Sequence, residues 1–198
     1  MLDLDVQPLP DRRPGIVICA YDAGDDLWDP YDDVGGEYWN PPGARSLPVY
    51  PGETESLAET LTTHVRGQDC DALLLIGRTR KGPGFRVQMR AENRAPHTHQ
   101  RLTLVGPGVA RSTAPVSEMI RALTDLGLTA EASSDAEDDA GSYLLYRLLA
   151  ALPDDPDAPA VGLLRVPTDA SDRDTRRAIK AVASSMAMRL SFRPRQTA

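Results

Sequence analysis

Cysteine, histidine and phenylalanine are scarce in this chain of 198 residues, which holds two, three and two of them. Cys19 and Cys70 are too few and too far apart for a disulfide framework or a zinc site, so a reducing compartment is the expectation. An excess of positive charge is missing too. With 22 basic against 29 acidic side chains the net charge is −7, and a phosphate backbone would be repelled, so no nucleic acid is expected as a partner. No apolar run approaches membrane-spanning length, and Met1 to Asp5 lacks both a basic start and an apolar core. No membrane, no signal peptide and a cytoplasmic location are therefore expected. Six aspartates crowd between Asp22 and Asp33, but no D-x-D-x-D-G spacing with a closing glutamate appears. No metal and no cofactor are expected.

What is present is a regular alternation of buried strands and amphipathic helices. Gly15 to Tyr21 is a continuous apolar run with β-branched residues, and Asp71 to Gly77 repeats it. Between them Leu57, Leu61 and Val65 recur at helical spacing over 56–67, with Gly67 placed to end the helix. Strand, helix, strand in that order implies a parallel pair. Further on, Val116 to Leu126 reads as a helix closed by Gly127, Thr129 to Ala132 as a strand, Leu144 to Leu152 as an apolar helix and Ala160 to Pro167 as the last strand. Ser171 or Asp172 caps a final helix whose Ile179, Val182, Ala183, Met186 and Leu190 share a face. The expected organisation is a loose leader over 1–14, one α/β domain over 15–190 and a tail over 191–198. The long segment from Asp22 to Glu55, with Trp28 and Trp39, reads as a loop anchored by its tryptophans on the body or on another subunit.

Several short motifs in this order resemble the pyroglutamyl peptidases (pyrrolidone-carboxylate peptidases), a family of cysteine peptidases. Ala140-Gly141-Ser142-Tyr143-Leu144-Leu145-Tyr146 lies on the Ala-Gly-x-Tyr-x-Cys-Asn run that opens the family's nucleophile helix. The nucleophile's position is then Leu145. Gly77, Ala91 and Asn93 agree with the segment that carries the family's catalytic glutamate, and that position is Gln88. Gly162, Val166 and Pro167 match Gly-x-x-His-Val-Pro, and the histidine's position is Arg165. Lys81 and Gly82 fall where the family has a glycine and an arginine near the oxyanion site. Ala20-Tyr21-Asp22-Ala23-Gly24 keeps one aromatic of the pocket motif, Ser46-Leu47-Pro48-Val49 resembles a short Leu-Pro-Val strand, and Asn40-Pro41 resembles an Asn-Pro pair. The resemblance implies a three-layer α/β/α sandwich with a central mixed, mainly parallel sheet of the phosphorylase/hydrolase-like kind.

It also implies that the peptidase reaction is lost. Leucine offers no nucleophile, a guanidinium stays protonated and cannot act as general base, and an amide orients a neighbour without balancing its charge. Fold does not carry function. The expectation is a catalytically inactive relative with a binding or assembly role toward an unknown protein or small molecule, and the family's bacterial members imply a homo-oligomer. The alternative is an enzyme, a hydrolase of peptide or amide-like small molecules, with a rebuilt site in the same cleft. Its candidate groups are Arg165 and Arg78 as anion clamps, Tyr143 or Tyr146 as a phenolic acid, Ser142 as a hydroxyl and Cys19 as another thiol, with Tyr21 and Asn93 as binding candidates. Each has a plainer reading: Ser142 as a turn residue, Cys19 as strand packing and Arg165 as the partner of an aspartate in the acidic loops. His64, His97 and His99 read as surface or half-buried residues.

Overall fold

The computed structural model describes residues 11–22, 27–30, 37–67, 69–98, 100–103 and 105–191. Most of the leader, all but Ser191 of the tail, much of the aspartate-rich loop and His99 lie outside the described residues.

A six-stranded sheet forms the middle layer. Its strands are β1 (Gly15–Ala20), β2 (Arg45–Leu47), β3 (Ala72–Thr79), β4 (Phe85–Gln88), β7 (Ala130–Ser133) and β8 (Ala160–Pro167), in the order β2-β1-β3-β8-β4-β7. Four neighbouring pairs run parallel; β4 and β8 run antiparallel, so the far edge is reversed. A separate two-stranded ladder joins β5 (Arg90–Glu92) to β6 (Val109–Arg111). The inner strands are apolar on both faces because helices cover both. Ile16, Ile18, Leu74, Ile76, Leu164 and Val166 face one core with α2 (Val116–Asp125) and α4 (Asp172–Ser191). The alternate residues Val17, Cys19, Leu73, Leu75, Val161 and Leu163 face the other with α1 (Thr54–Arg66) and α3 (Ala140–Ala151). The three-layer α/β/α expectation holds.

The helices follow their periodicity. Leu57, Ala58, Leu61 and Val65 bury the inner face of α1, while Gly67 closes it with its N–H bonded to the carbonyls of Thr63 and His64. Gly127 follows α2 at φ 77°, a left-handed value that glycine adopts without a Cβ clash. The final helix runs to Ser191, the first residue of the expected tail, and Met186, Ala187 and Leu190 are buried in the core on this side of the sheet. The short strands β4, β5 and β6 were not predicted as strands. Each has four residues or fewer, too short for an alternation to register. Within the long 22–55 segment, Trp28 and Trp39 meet edge to face at 5.6 Å and pack against the core under α4, and Lys180 lies over the Trp39 ring. They anchor the loop on the body.

Candidate functional site

The site grows from one odd residue. Seven of the eight residues of β8 carry no charge and all eight are buried, yet Arg165 stands among them at 1% exposure. A guanidinium there requires hydrogen-bonded acceptors and a countercharge, because burial alone would cost several kcal/mol. Strand parity aims Arg165 at the layer holding α3, and Gln88 points the same way from the neighbouring β4.

The acceptors surround it. Nε donates to Gln88 Oε1 at 3.1 Å, and Nη2 donates to the same oxygen at 3.0 Å, to Asp139 Oδ1 at 2.8 Å and to Ser142 Oγ at 3.0 Å. Nη1 donates to Tyr21 Oη at 2.7 Å and to Asp139 Oδ2. Glu137 Oε1 approaches Nε to 3.8 Å while accepting from Thr79 Oγ1 at 2.6 Å. Gln88 Nε2 donates onward to the Arg90 carbonyl at 3.0 Å and to Ser142 Oγ at 3.2 Å. The fork of donors on Arg165 is thereby spent within the protein.

Asp139 has a second task. It is the N-cap of α3, accepting from the Ser142 N–H at 3.0 Å, so the start of this helix is pinned to β8 through one carboxylate. Burial works against its charge, but the hydrogen bonds and charge of Arg165, with the Ser142 N–H and Tyr21, outweigh it and hold its pKa below 3.8. Burial likewise opposes the charge on Arg165, and Asp139 more than restores it. Tyr21 fits only because two glycines make room: a Cβ on Gly77 would lie 2.0 Å from its ring and one on Gly141 2.4 Å from its hydroxyl. Burial pushes its phenol far above the ordinary range.

Of the predicted residues, Gln88, Arg165, Tyr21 and Ser142 converge in this network. Leu145 follows Ser142 by one turn and is fully buried in the core of that layer. Tyr146 is also buried, its hydroxyl donating to the Pro107 carbonyl at 2.9 Å. Asn93 clamps the loop beside it: Nδ2 donates to Thr103 O at 3.0 Å and Oδ1 accepts from the N–H groups of Leu102 and Thr103. Tyr143 turns away to donate to Glu55, which Arg147 also holds at 2.9 Å. Cys19 is buried in the core, and burial pushes its thiol up to about 12. His97 is exposed and His64 half-buried. Among the described residues no group of His, Cys, Asp and Glu is arranged to hold a metal ion.

An open cleft of about 470 Å³ lies over the network, lined by Tyr21, Asp22, Glu53, Thr54, Arg78 and Asp139 among others. Arg78 also donates to the Pro167 carbonyl at 3.5 Å. Leu145, Gln88 and Arg165 do not reach its wall. The sequence points to an aspartate of the acidic loops as the partner of Arg165 without saying which, and the structure supplies Asp139; Glu137 and Thr79 are partners that the sequence did not indicate. The signal for them was Arg165 itself, a charge inside an otherwise uncharged strand, which calls for a buried acid.

Neither a protein-family model nor a curated protein matches the sequence. Solved structures do match the fold. Pyroglutamyl peptidase I from Bacillus amyloliquefaciens aligns with a TM-score of 0.69 at 15% identity, covering 88% of this chain and 95% of that one. Pyrrolidone carboxyl peptidase from Thermus thermophilus gives 0.62 at 18% identity over 86% and 98%, and the one from Thermococcus litoralis 0.70 at 13% over 90% and 95%. With its three layers, its mixed sheet and, among the described residues, four helices, the chain has the fold of the pyroglutamyl peptidases across nearly their whole length.

Proposed function

We propose that this protein is a catalytically inactive pyroglutamyl peptidase-like protein, a pseudoenzyme of the cytoplasm that acts by binding or assembly, as a homo-oligomer or as partner of another molecule. The observation that carries this reading is the state of the three positions that the resemblance pairs with nucleophile, base and orienting carboxylate. Leu145 is packed in the core, and Gln88 and Arg165 are bonded to each other and to Asp139 and Ser142. Reacting groups need a free face toward a substrate, and these three have none. The motif order and the shared fold support the comparison of positions; the fold by itself carries no activity.

The alternative, an enzyme with a rebuilt site, draws its support from the open cleft, whose wall offers Tyr21, Asp22, Glu53, Arg78 and Asp139. Purified protein incubated with a pyroglutamyl-coumarin amide should release no more fluorophore than a heat-treated control, and iodoacetamide should find no hyperreactive thiol. Turnover above the control rejects the inactive reading. Sedimentation of the purified chain and an affinity pull-down then test the assembly role.

A further inference from the structure

The two-stranded ladder opposes two arginines. In the β5–β6 pairing Arg90 stands directly across from Arg111. The Ser112 N–H bonds to the Met89 carbonyl and the Asn93 N–H to the Gly108 carbonyl. The hydrogen-bonded pairs are therefore 89 with 112, 91 with 110 and 93 with 108, which leaves Arg90 and Arg111 as a non-hydrogen-bonded pair, the closer of the two kinds of cross-strand approach. Like charges at that position repel. Arg90 Nε donates to the Ser134 carbonyl at 2.6 Å, and its Nη2 lies 3.9 Å from Glu92, which Arg94 shares at 3.5 Å. For Arg111, among the described residues, no hydrogen bond or ion pair is formed, and the side chain is exposed. Both arginines line an open groove of about 540 Å³, separate from the cleft over Arg165, whose other walls include the exposed side chains of Met89 and Val109 and the half-buried Val116.

From this we infer that the groove is a binding site for an organic oxyanion, a carboxylate or phosphate group set between Arg90 and Arg111 and carrying a short apolar chain against Met89, Val109 and Val116. The anion offsets the repulsion that the ladder builds in, and guanidinium forks match either oxyanion in geometry. The apolar wall selects a ligand with a hydrocarbon portion over a bare inorganic ion.

Isothermal titration of the full chain tests it, with hexanoate, hexyl phosphate and inorganic phosphate as the probes. Saturable binding of hexanoate or hexyl phosphate is expected, tighter than that of inorganic phosphate and weakened by added salt; the tighter of the two names the headgroup. Arg111→Ala should weaken it by about tenfold or more, the loss of one charge-assisted hydrogen-bonding group. Because Arg111 is exposed and opposed to a like charge, the ligand-free variant should melt no lower than the wild type. Absence of binding by all three probes, unchanged affinity in Arg111→Ala, or a lower melting temperature of that variant without ligand would overturn the inference.

Discussion

At the scale of single residues, Arg165 governs the protein. Truncating one partner of a buried pair leaves the other charged and unpaired, so Arg165→Met, which strands Asp139 and Glu137, should cost about 3–5 kcal/mol in urea unfolding. Adding Asp139→Asn and Glu137→Gln should recover part of that loss, and additive losses instead would show that the three do not act as one network. Asp139 also sets a pH dependence. Its folded pKa lies below the unfolded 3.8, so its contribution is fully present above that value and drains away as pH falls through the folded pKa. Urea midpoints should therefore drop on acidification from about pH 5 downwards, in the unfolded-carboxylate range and below it, and drop less in Asp139→Asn.

At the scale of elements, the start of α3 is held by tertiary contact as well as by its Asp139 cap. Tyr21, just past β1, lies across Gly77 of β3 and Gly141 of α3, closer than any Cβ allows. Gly77→Ala must push the ring aside and should lose about 1–3 kcal/mol, the usual cost of overpacking. In a Tyr21→Ala background the same change should cost little, and an equal cost in both backgrounds would remove Tyr21 from the explanation. The link from α1 to α3 is weaker. Glu55 is largely exposed and Arg147 half-buried, so solvent screens the pair and Arg147→Ala should change stability by less than about 1 kcal/mol in the same measurement. The long elements were legible because Leu57, Leu61 and Val65, or Ile179, Val182 and Met186, repeat a helical period. The three-to-four-residue strands β4 to β6 were not, since their pairing depends on partners far along the chain.

At the scale of the whole molecule, both thiols sit under α1 and α3, with Cys19 1% and Cys70 4% exposed, and burial pushes each up to about 12. A thiol reagent such as DTNB should leave the native protein unlabelled and react with the urea midpoint seen by circular dichroism. Labelling at lower urea would reveal a layer that opens separately. No described helix is long and apolar enough to cross a membrane. By itself the sequence determined the layered α/β plan, because burial on both faces of a sheet writes continuous apolar runs and burial on one face of a helix writes a period, and both are local patterns. Only the tertiary structure decided what Arg165 does: its acceptors come from Tyr21, Gln88, Asp139 and Ser142, up to 144 residues away, and no local pattern records which distant carboxylate closes on a buried charge.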